Sequence, residues 1–360
     1  MPAISQTYTP MAPSMRDSID GRYVRLDVVR AFAIIMVVAL HSVHEYMDES
    51  VYQAVHPYIC TPVLFFMTSG ALIFPVRSGR AFVRRRMWAL LPAFAFWTVV
   101  YLLMDYYLTP HQDVSIGHRL LYCLYTPTWG TGWFVLAMVG LYLFAPFLSP
   151  WLATARRRSI EYFLLLWLAA GTLPWVSAQT AILDDGGGVF TGFYGCMGYM
   201  VAGYYLTRWP VFTRSCRWQL CFWALVFAAA VPLTLKMGIV ATRWGYYDAV
   251  TSLSGVNVIV IQTALFALLT SLPTPRGVFA RLCISLSRCS YGIYLVHIAI
   301  LHYLLRLADI DLGVAANGLL SFIASYLLTL AWRKIIRNYW CPLKLSSPIW
   351  LFIFLGQPIY

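Results

Sequence analysis

Residues 25–46 read RLDVVRAFAIIMVVALHSVHEY. Between a charged entry (Arg25, Asp27, Arg30) and a polar exit (His41, His44, Glu45) runs an unbroken apolar stretch. The whole segment is long enough to cross the hydrocarbon of a bilayer, which takes about 20 mostly apolar residues. Arg30 and His41 are eleven positions apart, which on a helix is three turns plus about 20°, with an axial separation of about 16 Å. Both therefore share a face, Arg30 at the membrane edge and His41 near mid-bilayer. Asp27 lies one turn before Arg30 and can pair with it, while His44 and Glu45 extend the face by a turn. An ionisable group inside a membrane costs at least about 2–3 kcal/mol and usually faces a cavity or a partner. The reading is a polar stripe turned toward an interior. The plain structural alternatives are a packed, hydrogen-bonded imidazole for His41 and a topology anchor for Arg30.

The rest of the chain has the same character. Of 360 residues, 60% are hydrophobic and 11% charged, against about 45–50% and about 25% in soluble domains. Charges this sparse cannot cover a water-soluble globule, so the fold expected is all-α and polytopic in a lipid bilayer. Ten spans are expected, near 27–47, 57–75, 87–108, 132–149, 159–178, 189–207, 217–238, 250–271, 282–305 and 312–332. Residues 1–25 read as a disordered lead without a signal peptide, 26–336 as the transmembrane domain, and 337–360 as a cytoplasmic or interfacial tail.

Charge provides an independent check, because connections rich in Lys and Arg stay on the cytoplasmic side. Basic clusters stand at every second connection: around Arg16–Arg30, Arg77–Arg86, Arg156–Arg158, Arg208–Arg217, Arg276–Arg288 and Arg333–Lys344. Only Arg119, Lys236, Arg243 and Arg306 of the 26 basic residues fall opposite. Ten of the 14 acidic residues, Glu45, Asp48, Glu49, Asp105, Asp113, Asp184, Asp185, Asp248, Asp309 and Asp311, gather on that opposite side. An even number of spans with both termini cytoplasmic follows. The net charge of +12 is thus spread along the chain in topology clusters, which excludes a nucleic-acid groove, since that needs basic residues gathered on one face. The eight cysteines include no CxxC pair and read as small buried hydrophobes. No metal-ligand spacing is present, because the pair His41 and His44 lacks a third ligand. Gly192, Gly195 and Gly198 would let helices approach closely. No internal repeat of the kind that builds many transporters is visible.

The stripe suits one chemistry in particular. A neutral imidazole can take a proton from an alcohol, and a guanidinium presents a fork of donors to phosphate or pyrophosphate. A mid-membrane base with a cation at the cytoplasmic edge matches a donor whose anionic head stays in the cytoplasm and whose reactive end reaches inward. Coenzyme A thioesters have that shape.

Along its length the chain resembles the acyltransferase-3 family of bacterial integral-membrane O-acyltransferases. Arg30 and His41 occupy the Arg-x10-His positions of that family's first helix. VLFFMTSGALIF (63–74) resembles its FF-x-x-SG segment, with Ser69 and Gly70. Arg84, Arg85 and Arg86 before Pro92 and Trp97 are similar to its basic cluster leading into a proline-containing helix. GWFVLAMVGLYLFAPFL (132–148) is similar to its WF…LY…P segment, GCMGYMVAGYYL (195–206) to its GY…GYYL helix, and SYGIYLVH (290–297) to its S-[FY]-G-I-Y-L-x-H motif. The chain departs at Ala89, where the family often carries arginine, and at Thr131, where it often has histidine.

The resemblance implies an acyltransferase in the bacterial inner membrane with no bound cofactor, drawing on acetyl-CoA or another acyl-CoA as donor substrate. The acceptor implied is a sugar hydroxyl of a cell-envelope or exported polysaccharide, or a lipid-linked sugar. Carried over, His41 is the base, Arg30 positions the donor, and Arg84, Arg85 and Arg86 contact the coenzyme. Asp27, Ser69, Trp133, Tyr294 and His297 are candidate substrate-lining residues. His56, His111, His118 and His302 read as unremarkable outer residues. A transporter or flippase of a lipid-linked sugar is the alternative, in which the same stripe lines a path and no bond changes.

Overall fold

The computed structural model describes residues 10–12, 15, 18–19, 22–76, 78–108, 117, 132–173, 175, 188–212, 216–244 and 250–339. After a two-stranded antiparallel pairing of β1 (Ser18–Ile19) with β2 (Arg22–Tyr23), the described chain is helical. In order come α1 (Val24–Tyr46), α2 (Glu49–Ile59), α3 (Pro62–Ile73), α4 (Gly79–Leu108), α5 (Trp133–Thr154), α6 (Arg157–Ala170), α7 (Gly188–Leu206), α8 (Cys216–Trp244), α9 (Val256–Ser271), α10 (Gly277–Ile298), a π-helical segment Ala299–Arg306, and α11 (Val314–Tyr339).

Seven helical segments among the described residues are long and apolar enough to cross a membrane: Val24–Tyr46, Glu49–Ile73, Gly79–Leu108, Trp133–Thr154, Arg217–Ala241, Gly277–Arg306 and Val314–Ile335. The other three expected spans also fall on helices. Those are α6 (14 residues), α9 (16 residues) and α7 (19 residues). Large apolar side chains face outward in numbers no aqueous surface tolerates, with Phe147 76%, Leu225 69% and Ile239 65% exposed. Hydrocarbon is the solvent that makes such faces favourable. The protein is an all-α, multi-pass membrane protein.

Two details differ from the sequence reading. The span expected at 57–75 is broken at Cys60–Thr61 into α2 and α3. At the break Gln262 donates to the Pro57 carbonyl of α2 at 3.1 Å, and the Thr61 hydroxyl ties the start of α3 to α1 by donating to the Ala33 carbonyl at 3.0 Å. Part of the lead expected to be disordered is packed: Met11, Ala12 and Met15 are buried, and the Ala12 amide donates to the Thr207 carbonyl at 3.0 Å.

The chain divides into two compact units. One comprises Met1–Leu40, Asp48–Arg77 and Phe144–Ser287; the other comprises His41–Met47, Ser78–Leu143 and Arg288–Tyr360. In the first, α3 is buried along nearly its whole length and lies directly against α7. A Cβ added to Gly70 would stand 1.8 Å from the Met200 carbonyl oxygen, and one added to Gly203 would stand 2.0 Å from that of Met67. Each glycine is thus the hole for the other helix's backbone, the small-residue contact by which helices associate in lipid. Of the glycines read as a packing set, Gly195 faces Ser254 and Gly198 faces the Trp167 indole, so they serve different neighbours. Arg208, counted in the sequence as a topology charge, is buried. Its guanidinium donates to the Phe74 carbonyl at 2.8 Å at the end of α3 and lies 3.8 Å from the Tyr204 ring centroid. A cation there satisfies the terminal carbonyls and the negative end of the helix dipole.

The second unit is built on the C-terminal part of α10 and its π-helical continuation, around Val296, Ile298, Ile300, Tyr303 and Leu305. The change of helix type has a visible cause. Tyr101 of α4 puts its hydroxyl into the ladder, donating to the Leu295 carbonyl at 2.6 Å and accepting from the Ala299 amide at 3.2 Å. Those two backbone groups would otherwise bond to each other, and an inserted side chain is a recognised way to distort a helix.

Candidate active site

α1 is unbroken from Val24 to Tyr46, so the interval between Arg30 and His41 is helical throughout. Arg30 is 7% exposed and its guanidinium carbon lies 5.9 Å from the Phe65 ring centroid, one turn along α3 from the buried Ser69. Asp27 is also buried, but its two oxygens are held by Arg22 and Ser287: the Arg22 Nε donates at 3.0 Å, its Nη2 makes a further close contact, and the Ser287 hydroxyl donates to the same carboxylate. Asp27 is thereby an anchor for the entry of α1.

His41 is half-buried. Its ring centroid is 5.2 Å from that of His297, with the planes at 47°. His297 is completely buried. From it a line of rings continues to Tyr294 at 6.0 Å, on to Phe134 at 5.4 Å, and to Trp133 at 6.1 Å. Four residues selected from three separate sequence motifs, His41, Trp133, Tyr294 and His297, thus stand in one contiguous group. The exit of α1 is fixed beside it. Ser42 donates to the Val314 carbonyl at 2.6 Å, and the Glu45 carboxylate meets His302 Nδ1 at 3.0 Å. His302 sits on the π-helical segment, a form frequently found at functional sites; in the sequence it reads as an unremarkable outer residue because π turns leave no periodic signature. His44, expected on the same polar face, is exposed instead: three residues add only about 300°, enough to rotate it off the stripe.

The arginine triplet separates. Arg84 and Arg85 are exposed, whereas Arg86 is buried with its guanidinium carbon 5.3 Å from the ring centroids of both Phe82 and Tyr142. Successive residues on a helix point about 100° apart, so one triplet cannot serve one ligand as three equivalent donors. Ala89 is buried. Thr131, His111 and His118 lie outside the described residues. Among the described residues no cluster of His, Cys, Asp and Glu could hold a metal ion, and Cys60, Cys196, Cys283 and Cys289 are buried free thiols.

The Tyr101 wedge leads to a prediction. Tyr101→Phe should let Leu295 and Ala299 bond directly and shift the turn that carries His297. We expect turnover to fall about tenfold while stability drops by only about 1–2 kcal/mol, the scale of one buried hydrogen-bonding group. Side-by-side rate and thermal-unfolding measurements check it; wild-type turnover in Tyr101→Phe would show the wedge to be incidental.

A family model described as an acyltransferase domain matches residues 23–355. No curated protein and no solved structure matches the chain.

Proposed function

Because the chain belongs to the acyltransferase-3 family, we propose that it is a membrane-embedded O-acyltransferase moving a short acyl group, acetyl in the first instance, from acyl-CoA to a sugar hydroxyl of a cell-envelope or exported polysaccharide. The observation that carries the reading is the imidazole of His41 on an unbroken membrane helix, beside the Tyr294–His297 motif, within a family match covering almost the whole chain. It acts in the bacterial inner membrane with both termini in the cytoplasm, a placement supported by the alternation of basic clusters.

In this scheme His41 accepts the proton of the acceptor hydroxyl as the oxygen attacks the thioester carbonyl. A C–O bond forms, the C–S bond breaks, and the departing thiolate takes the proton back from the imidazolium. The imidazole returns to its starting state, as general base and then general acid. Arg30, at the cytoplasmic end of the same helix, offers its guanidinium to the anionic part of the donor. Arg86 is favoured over Arg84 and Arg85 as a coenzyme contact, since a buried cation seated against two rings is already oriented. Arg86→Gln should raise the KM for acyl-CoA about tenfold or more with little change in acceptor KM, while Arg84→Gln changes neither beyond about twofold; equal effects from the two variants would remove Arg86 from the donor site.

The test is direct. Purified protein in liposomes, given acetyl-CoA with a labelled acetyl group and a glycan extract, should yield a labelled ester released by mild base. Movement of unmodified sugar across the bilayer with no ester formed would overturn the proposal in favour of transport.

A further inference from the structure

We infer that His297 is a second substrate-contacting residue, whose Nε2 accepts a hydrogen bond from the acceptor hydroxyl and orients it for His41; the inference rests on the acyl-transfer reading above. Its basis is an asymmetry in how the His297 ring is satisfied. Nδ1 lies 2.7 Å from the Tyr294 carbonyl oxygen and 3.2 Å from that of Ile293. Carbonyls only accept, so the ring proton sits on Nδ1 and the neutral imidazole keeps its lone pair on Nε2. That nitrogen is fully enclosed and has no hydrogen-bond partner in the structure.

A histidine kept only to fill space could be replaced by a leucine of similar volume that leaves nothing unsatisfied. Here the geometry is fixed from several sides instead. The Ser321 hydroxyl of α11 donates to the His297 carbonyl at 2.9 Å, the Tyr294 ring flanks the imidazole, and the His41 ring stands 5.2 Å away. The chemistry that completes such a site is a neutral hydroxyl donor. An acyl thioester brings no O–H to its reacting end, whereas the acceptor sugar must. A polar group built to receive a substrate hydroxyl also discriminates strongly against molecules that lack it, so His297 contributes to the choice of an alcohol acceptor.

Two substitutions separate this role from packing. In His297→Asn the amide nitrogen can replace Nδ1 against the backbone carbonyls, but nothing replaces Nε2. In His297→Gln the longer amide reaches the Nε2 position and offers an oxygen acceptor without basicity. Acetyl transfer from acetyl-CoA to the glycan extract is measured for both, with thermal unfolding and coenzyme A binding as controls. We expect transfer by His297→Asn to fall at least 100-fold with a raised acceptor KM, and His297→Gln to recover to within about tenfold of wild type. Unfolding temperature and coenzyme A binding should stay near wild type in both. Wild-type rates in His297→Asn, equal losses in the two variants, or losses that follow unfolding of both would assign His297 to the core and overturn the inference. In each of those cases an active wild-type protein leaves the acyltransferase reading standing. A wild-type protein that forms no ester removes both.

Discussion

His41→Ala is expected to slow acyl transfer by about 10²–10⁴-fold, the usual contribution of a positioned general base, while leaving the protein folded and its affinity for coenzyme A within about twofold. The imidazole is half-buried, so its removal deletes little packed volume. The helix around it is held independently by Ser42 on the Val314 carbonyl and Glu45 on His302. A loss confined to turnover is therefore the signature of chemistry, and a loss accompanied by unfolding is that of packing. Single-turnover transfer from labelled acetyl-CoA, measured with saturating acceptor, separates the two. A variant that transfers at the wild-type rate would exclude His41 as the base.

The second large effect lies far from any chemistry. Gly203→Val should abolish recovery of folded protein from the membrane. A Cβ at that position meets the Met67 carbonyl oxygen at 2.0 Å and its carbon at 2.5 Å. These are backbone atoms of α3, which cannot rotate away as a side chain can. Overpacking a core typically costs about 1–3 kcal/mol, and here two helices must separate along their shared face. The reciprocal contact of Gly70 with the Met200 backbone means that the separation empties a second seat as well. Gly140→Ala is the control: nothing lies within 4 Å of its added Cβ, and alanine is the better helix former by about 1 kcal/mol. Monodisperse yield in detergent and thermal unfolding should rank Gly140→Ala at or above wild type and Gly203→Val far below it. Normal yield of Gly203→Val would show that the α3–α7 contact is not close in the native protein.

These two residues illustrate what could be read from the chain. Both stand in motifs visible in the sequence, but the motif around Ser69 and Gly70 and the one around Gly203 gave no sign of being two halves of one contact. The polar stripe was legible because Arg30 and His41 share a helix, and eleven residues of helix fix their relative direction without reference to anything else. His44 was misplaced by the same reasoning, applied three residues further than the face extends. The arginines show a different limit. In sequence Arg84, Arg85 and Arg86 form one basic cluster with a single expected role and Arg208 is a topology charge alone; in the structure Arg208 caps α3, Arg86 lies against the Phe82 and Tyr142 rings, and Arg84 and Arg85 are exposed. The Tyr101 hydroxyl that opens the π-helical turn had no signal in the sequence, because a tyrosine in an apolar helix ordinarily only packs.

The sequence by itself determined the class of the molecule, its helices and the face of α1 that carries charge. Each follows from local quantities: the hydropathy of about 20 consecutive residues and the angle one residue adds to a helix. Only the tertiary structure decided which buried polar atoms are satisfied and which are left for a ligand. That depends on carbonyls, hydroxyls and rings brought to a residue from other segments, as Ser321 and His41 are brought to His297. Satisfaction of a buried group is a property of its surroundings, and no window along the chain contains them.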